Sequence, residues 1–260
     1  MAGYFVGVDV GSITTKVVIV SDEGNFLGSA TIPTGFSVAK ATDQALDQAL
    51  KSASLNSDSI NRIVATGYGR NLVTFANEKI TEITCHAKGA YKRIGKALTL
   101  IDIGGQDSKV ITINNSGKVD KFLMNDKCSA GTGRFLDVMA RALDTDLENF
   151  SSMALNASSS AKINSMCTVF AETEVISLIA RGTSREEIAY GLCLSIAERV
   201  GSMVKKVGFN DLIFVSGGVA YNQAVVSALS SHLQKKVTML EEPQINGAFG
   251  AALLAIQLPS

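Results

Sequence analysis

The sequence predicts an α/β protein built from two lobes, each containing a β-hairpin of the same pattern. Three observations predict this fold class: an internal duplication, strand patterns that alternate with helical patterns, and a glycine-rich turn between a late strand and a helix. With 260 residues the chain is long enough for one large domain or two smaller lobes.

The duplication relates residues 9–24 to residues 102–117 at a constant offset of 93 positions. The two segments read DVGSITTKVVIVSDEG and DIGGQDSKVITINNSG, with Asp, Gly, Lys, Val and the last Gly in common. An apolar run precedes each copy and alternating residues close it. Each copy therefore predicts a β-hairpin followed by a turn at Gly24 or Gly117 into a third strand.

The first turn of each copy has the composition of a phosphate-binding loop. Glycine lets backbone N–H groups approach a phosphate, a hydroxyl adds a donor, and an aspartate can hold a hydrated magnesium ion. One such turn is common, but two in register can grip a triphosphate from both sides. Lys16 and Lys109 occupy matching positions, and each is either a phosphate contact or a solvent-exposed strand residue.

The remaining pattern fits two α/β lobes. Helical spacing covers 36–55, a strand covers 60–65, and a later strand at 212–215 leads into Gly217 and Gly218. That glycine turn is either a seat for the adenosine or its α-phosphate, or a plain tight connection. A helix over 222–233, a strand over 237–240 and a last helix opening at Asn246 follow. We expect a first lobe of 1–97, with 246–260 packing back on it, and a second lobe of 98–245.

The two hairpins and the late glycine turn together resemble the superfamily of sugar kinases, heat-shock ATPases and actin. The resemblance covers essentially the whole chain and implies the actin-like, ribonuclease H-like ATPase fold.

Two of the four cysteines, Cys128 and Cys167, lie among polar or small residues just ahead of helical patterns. A helix N-terminus lowers a thiol pKa and stabilises a negatively charged cluster. The alternative is that both are small core residues. Cys193 lies within a long helical pattern and is predicted to be core. Cys85 precedes His86, and core packing is favoured over metal binding there.

No CxxC pair is present, which excludes zinc-ribbon and thioredoxin-like sites on spacing. Two thiolates are half of the four that a four-iron cluster normally takes. A symmetric dimer would supply the other two, with the cluster on its two-fold axis.

Four strings in the sequence are long and distinctive: NDKCSAGTGRFLD at 125–137, CTVFAETE at 167–174, ATGYGR at 65–70 and IGGQD at 103–107. They resemble segments of the activators of 2-hydroxyacyl-CoA dehydratases, a group that includes ATPase subunits of benzoyl-CoA reductases. The resemblance implies a homodimer that shares one [4Fe-4S] cluster through Cys128 and Cys167 of each subunit. It also implies a reduced ferredoxin or flavodoxin as electron donor, and an iron–sulfur dehydratase or related reductase as acceptor.

The same resemblance implies that ATP and Mg²⁺ bind between the lobes. Asp9 and Asp102 would hold the metal, and Gln106 or Asp107 would orient the attacking water. The implied nucleotide ligands are Ser12, Ile13, Thr14, Thr15, Lys16, Gly104, Gly105, Gln106, Gly217 and Gly218. The roles of Glu172, Glu174, Arg134 and Arg70 stay open.

Composition narrows the classes of function. Lysine plus arginine and aspartate plus glutamate both number 24, so nothing favours nucleic acid or a membrane surface as partner. No stretch reaches the roughly 20 apolar residues of a membrane span, and the expected location is the cytoplasm.

The main alternative hypothesis is a small-molecule kinase of the same fold, for example one that phosphorylates an amino sugar, with Asp107 as its catalytic aspartate. An actin-like filament or a chaperone module would need extra subdomains.

Overall fold

The structure, a computed structural model, describes residues 3–164 and 167–258. The described residues divide into two compact units. The first unit comprises the residues up to Ala97, Ile113–Asp120 and those from Gln244 onward, and the second comprises Leu98–Thr112 and Lys121–Pro243. Each unit contains one mixed sheet with helices packed against it.

The first sheet has five strands in the order β3-β2-β1-β4-β5. Its strands are β1 (Tyr4–Val10), β2 (Thr14–Ser21), β3 (Phe26–Pro33), β4 (Ile60–Thr66) and β5 (Glu78–Lys79). The first three are antiparallel neighbours, whereas β4 runs parallel to β1. The helices of this unit are α1 (Val38–Ala53), α2 (Glu82–Ile94) and α8 (Asn246–Ala255).

The second sheet also has five strands, in the order β10-β9-β6-β7-β8. Its strands are β6 (Leu98–Ile103), β7 (Ser108–Ile113), β8 (Val119–Asn125), β9 (Ile213–Ser216) and β10 (Val237–Met239). The accompanying helices are α3 (Gly133–Ala142), α4 (Leu147–Leu155), α5 (Thr168–Ala180), α6 (Arg185–Val207) and α7 (Gln223–Leu233).

The two sheets repeat one topology, because β6 to β10 occupy the positions of β1 to β5. The duplication holds down to single hydrogen bonds. Gly24 donates its N–H to the Ser21 carbonyl at 2.9 Å, and its repeat partner Gly117 donates to the Asn114 carbonyl at the same distance. Both glycines have a φ of 77°. The predicted duplicated hairpins are therefore confirmed, and the repeat extends beyond them to the whole sheet order.

Local sequence explains where the helices begin. Ser37 accepts a hydrogen bond from the Lys40 N–H at the start of α1. Ser184 does the same for the Glu187 N–H at the start of α6, in the Ser-x-x-Glu pattern of a capping box. The predicted helices over 36–55 and 222–233 are confirmed as α1 and α7.

In the first unit α8 packs on β1 and α2 with almost no side chain between the backbones. A Cβ on Gly250 would lie 1.7 Å from the Cys85 carbonyl oxygen, and one on Gly7 would lie 1.9 Å from the Ala248 carbonyl oxygen. A larger residue at Gly7 would force α8 off the sheet, and one at Gly250 would force it off α2. This contact fixes the end of β1, where Asp9 lies.

Within the described residues, no helix combines the length and the apolarity that crossing a lipid bilayer requires.

Candidate nucleotide and cluster sites

The first candidate phosphate turn joins β1 to β2. The Gly11 N–H donates to the Thr14 carbonyl at 3.0 Å, which closes the turn and leaves Ser12 and Ile13 exposed at its tip. Asp9 is buried, directly opposite Lys16 in the strand register. The Lys16 Nζ lies 3.7 Å from the Asp9 Oδ2, so the lysine neutralises the aspartate of its own repeat.

The second candidate phosphate turn joins β6 to β7 with the same geometry. The Gly104 N–H donates to the Asp107 carbonyl at 2.9 Å, the bond expected from the repeat offset. Gly104 and Gly105 are half-buried, and Gln106 is exposed at the tip. The backbone of each turn is thus available to an anion from the exposed side.

Lys109 was expected either to contact a phosphate or to face solvent from its strand. Instead its side chain is buried, and its ammonium group is engaged by two carboxylates. Its Nζ lies 2.9 Å from the Asp107 Oδ2 and 3.2 Å from the Asp102 Oδ2, and its side chain is 2% exposed. The Ser216 hydroxyl donates to the other oxygen of Asp102 at 2.7 Å. The carboxylate of Asp102 is therefore held by a cation on one side and a hydroxyl on the other.

The glycine turn after β9 lies against the second phosphate turn. Gly217 has φ 84° and ψ 175°, a region that glycine alone adopts without strain. A Cβ there would lie 2.3 Å from the Ile103 carbonyl oxygen and 3.1 Å from the Asp102 Oδ1. The second unit thus brings together Asp102, the Gly104–Asp107 turn and Gly217, which are far apart in sequence.

The segment after β4 packs closely against Asp9. A Cβ on Gly67 would lie 2.4 Å from the Asp9 Oδ1, and the Gly69 N–H donates to the Val10 carbonyl at 2.9 Å. Arg70 is turned back on this segment, with its Nη1 2.9 Å from the Gly67 carbonyl oxygen. In the sequence, two glycines within a few residues after a strand could have predicted that this backbone packs closely on β1.

The two cysteine segments meet within the second unit. Cys167 is the N-cap of α5 and is exposed. Cys128 is half-buried in the loop after β8. It does not lie at a helix start, because α3 begins five residues later, at Gly133. The hydroxyls of their neighbours Ser129 and Thr168 form a hydrogen bond of 2.9 Å. Both thiols are free, so this hydroxyl pair and not a disulfide joins the segments.

Hydrogen bonds also connect the second phosphate turn to the Cys128 loop. The carbonyls of Gly104 and Gly105 accept the N–H groups of Gly133 and Arg134, at 2.8 and 2.7 Å. The turn therefore satisfies two donors that the start of α3 leaves without partners in the helix.

The next link runs from the start of α3 into the cysteine loop. Thr132 donates from its hydroxyl to the Ser129 carbonyl at 2.7 Å and from its N–H to the same oxygen at 3.0 Å. A continuous path thus runs from the second phosphate turn through Thr132 and Ser129 to Thr168. Ser129 and Thr168 are each the residue next to one of the two cysteines.

The other two cysteines are core residues, as predicted. Cys85 in α2 and Cys193 in α6 are fully buried. Burial raises the pKa of each thiol to about 12, so both stay protonated at neutral pH.

Glu174 in α5 holds residue 164, because its carboxylate accepts hydrogen bonds from the Asn164 N–H and side-chain amide at 3.0 and 2.8 Å. Arg134 forms an exposed ion pair with Asp137 at 3.0 Å, and Glu172 is exposed on α5.

The described residues contain no group of three or more His, Cys, Asp or Glu side chains arranged to hold a metal ion. Cys128 and Cys167 fit one half of a four-thiolate set, because both are accessible and their segments are joined. A second copy of the chain would have to supply the other half.

Comparison with known proteins identifies the family. Residues 6–255 match the BadF/BadG/BcrA/BcrD ATPase family. The chain is 43% identical to the activator of lactoyl-CoA dehydratase of Anaerotignum propionicum, over 98% of both chains.

Two solved structures show the fold. The activator of 2-hydroxyisocaproyl-CoA dehydratase from Clostridium difficile, with bound ADPNP, is 40% identical with a TM-score of 0.93, covering 98% of this chain and 94% of that one. A ROK family glucokinase from Streptomyces griseus is 14% identical with a TM-score of 0.60, covering 98% of this chain and all of that one. The latter likeness shows the fold alone. The actin-like ATPase fold expected from the sequence is confirmed, and the chain belongs to the BadF/BadG/BcrA/BcrD ATPase family.

Proposed function

We propose that this protein is an ATP-dependent activator that passes a low-potential electron to an iron–sulfur partner enzyme. A 2-hydroxyacyl-CoA dehydratase or a related reductase is the proposed acceptor, because the relatives of high identity are named as dehydratase activators. A reduced ferredoxin or flavodoxin is the proposed donor, and the cytoplasm of an anaerobically growing cell is the proposed location.

The observation that carries this proposal is the hydrogen-bonded path from the second phosphate turn to the cysteine segments. It runs from Gly104 and Gly105 to the start of α3, and through Thr132 to Ser129 and Thr168. A change in the turn on nucleotide binding or hydrolysis would displace groups bonded directly to the cysteine loop. A kinase function on the same fold would not explain why such a path ends at two accessible thiols.

The proposed redox centre is a [4Fe-4S] cluster held by Cys128 and Cys167 of two subunits. The cluster would store one electron at low potential. The chain's own contribution is to keep both thiols accessible on segments that the bond between Ser129 and Thr168 joins. Cys167, as the N-cap of α5, lies where backbone N–H groups stabilise negative charge.

An exposed apolar face on α5 supports the homodimer. Val169, Phe170 and Ile176 are each more than half exposed, and only Ala171 and Val175 of this helix are buried. Apolar side chains clustered beside an accessible cysteine are typical of a surface that another chain covers. We propose that a second copy covers part of this face next to the cluster.

At the nucleotide site we propose that the backbone of residues 12–16 and of residues 104–106 binds phosphates, with Gly217 and Gly218 near the adenosine. Asp9 and Asp102 would hold Mg²⁺ through its water ligands. Of the two candidates for orienting the attacking water, Gln106 is the better one. Its side chain is exposed at the turn, whereas the Asp107 carboxylate is engaged by Lys109 at 2.9 Å.

The test is iron and acid-labile sulfide per dimer in anaerobically purified protein, with an EPR spectrum after dithionite reduction. We expect about four irons per dimer, lost in Cys128→Ala and in Cys167→Ala. Cys193→Ala is the matched control, since that thiol is buried, and it should keep the iron.

Protein that holds no iron after anaerobic reconstitution would overturn the proposal. ADP release that depends on an added sugar would then favour a small-molecule kinase.

A further inference from the structure

A cleft of about 220 Å³ lies in the second unit, beside the loop that carries Cys128. One wall is formed by the end of β8 and the two residues after it, from Leu123 to Lys127. The other wall is the C-terminal part of α6, with Arg199, Met203 and Lys206. We refer to these residues as the basic cleft.

Both walls touch the cysteine loop. Asn125 lines the cleft, and its side-chain amide donates to the Cys128 carbonyl at 2.7 Å. The Arg199 Cγ lies 3.1 Å from the position that a Cβ on Gly131, three residues after Cys128, would occupy. A molecule seated in the cleft would therefore lie next to a proposed cluster ligand.

The cleft is positively charged although the chain as a whole is neutral. Lys127, Arg199 and Lys206 line it against the single carboxylate of Asp126. Asp126 pairs with Lys127 at 3.3 Å, but the lysine side chain is 88% exposed, so this pair is weak and screened by water. Basic and acidic residues each number 24 in the chain, so the excess of cations here is local.

The volume of the cleft indicates what kind of molecule it accepts. Pockets for small-molecule ligands measure roughly 300–1,000 Å³, which is more than this cleft holds. Leu123, Met124 and Met203 add apolar surface next to the cations. A small cleft with a basic rim and apolar lining suits one or two acidic side chains projecting from a protein surface.

We propose that the basic cleft is the docking site for an acidic protein that donates one electron to this chain. The inference rests on the proposed function and adds where its donor binds. Opposite charges steer two proteins into the encounter and fix their orientation. In the reaction one electron leaves the reduced donor and one enters the cluster, with no bond made or broken. Docking at this cleft places the donor beside Cys128.

The test compares Arg199→Gln/Lys206→Gln with the wild-type holoprotein, using an acidic flavodoxin as the probe. We expect binding of oxidised flavodoxin to weaken by about tenfold or more, with iron content and ATP hydrolysis unchanged. Reduction of the cluster by flavodoxin hydroquinone at limiting concentration should slow by a similar factor. Reduction by the methyl viologen radical, a small cation, should stay the same or become faster, because the repelling charges are gone.

The matched control is Lys51→Gln/Lys236→Gln, which removes two exposed charges elsewhere. Lys51, like Lys206, lies in the last turn of its helix, so both variants lose the same favourable helix-end charge. Lys236 adjoins β10, at the edge of the second sheet opposite to β8. This control should bind flavodoxin as the wild type does.

Salt tests the inference on the wild-type protein, without any variant. Flavodoxin binding should weaken several-fold between about 20 and 200 mM salt, as screening predicts.

Unchanged flavodoxin binding in Arg199→Gln/Lys206→Gln would overturn the inference while leaving the proposed function intact. Loss of partner-enzyme activation with normal flavodoxin binding would also overturn it, and would assign the cleft to the electron acceptor. Protein without iron would instead be a failure of the proposed function.

Discussion

Lys109 lies between two carboxylates in the protein interior, where charged side chains are rare. Its ammonium group is within 3.2 Å of both Asp102 and Asp107, and both Lys109 and Asp102 are almost fully buried. Burying a charge is costly unless it is paired and hydrogen-bonded. Because the lysine offsets one of the two carboxylate charges, the second phosphate turn does not present two bare negative charges to an approaching anion.

Replacing Lys109 with Met should leave the Asp102 carboxylate buried without its cation. We expect a loss of about 3–5 kcal/mol in the free energy of unfolding, measured by urea denaturation. The repeat supplies the matched control. Lys16→Met removes a longer pair, at 3.7 Å, whose lysine side chain is 13% exposed, and should cost clearly less than Lys109→Met. Equal losses in the two variants would contradict the interpretation of Lys109 as a buried charge partner.

The four thiols should separate into two classes of reactivity. After iron is removed under anaerobic conditions, Cys128 and Cys167 should react quickly with a thiol reagent such as DTNB. Cys85 and Cys193 should react only on unfolding, because burial keeps both protonated. Mass spectrometry of the labelled peptides identifies the sites. Fast labelling of Cys193 in folded protein would contradict its position in the core.

At the scale of elements, short glycine turns determine how the sheets and helices meet. The turn at Gly104 and Gly105 both closes the β6–β7 hairpin and satisfies the first N–H groups of α3. The turn at Gly217 packs directly on the Ile103 carbonyl at the end of β6. Each turn therefore joins elements that are remote in sequence, and a side chain added there acts on several of them together.

Gly217→Ala and Gly208→Ala separate steric contact from backbone strain. The two glycines have nearly the same conformation, φ 84° with ψ 175° and 166°. A Cβ on Gly208 meets nothing within 4 Å, whereas one on Gly217 meets the Ile103 carbonyl oxygen at 2.3 Å.

We expect Gly208→Ala to cost about 1–3 kcal/mol from strain alone. Gly217→Ala should cost clearly more, with impaired nucleotide binding. Urea denaturation and nucleotide titration measure both effects, and equal stabilities would mean that the β9 turn relaxes freely.

At the scale of the whole molecule, each unit has its own core and its own buried thiol, Cys85 in the first and Cys193 in the second. The thiol pKa is about 12 in the folded chain against an ordinary value of 9.0. Because the folded form keeps the proton, the unfolded form alone ionises as the pH rises above 9. The contribution of the two buried thiols to the free energy of unfolding is therefore complete below pH 9 and is lost as the pH rises toward 12.

Unfolding in urea at several pH values should show this loss. Above pH 9 the stability of the wild-type protein should fall more steeply than that of Cys85→Ala or Cys193→Ala, by on the order of 1 kcal/mol per pH unit for each thiol. Urea curves with two transitions would assign each thiol to the unfolding of its own unit. Parallel pH profiles in all three proteins would contradict burial of these thiols in the folded state.

Most of the fold was predictable from local patterns. Strand and helix periodicity placed α1, β4 and α7 within a few residues, because each buries one face and begins or ends at its own cap or turn residue. The repeat at an offset of 93 predicted two equivalent hairpins. The helix α4 was missed, since its nine residues are too few for a clear apolar period.

The sequence by itself determined the repeated turns and favoured two accessible and two core cysteines, since glycine spacing and polar flanks are local properties of the chain. Tertiary structure alone decided that Lys109 pairs with Asp102 and Asp107. It also decided that Ser129 meets Thr168 and that Arg199 faces the Cys128 loop. These contacts depend on where separate strands and helices come together, and side-chain pairing across such distances leaves no periodic signal in one sequence.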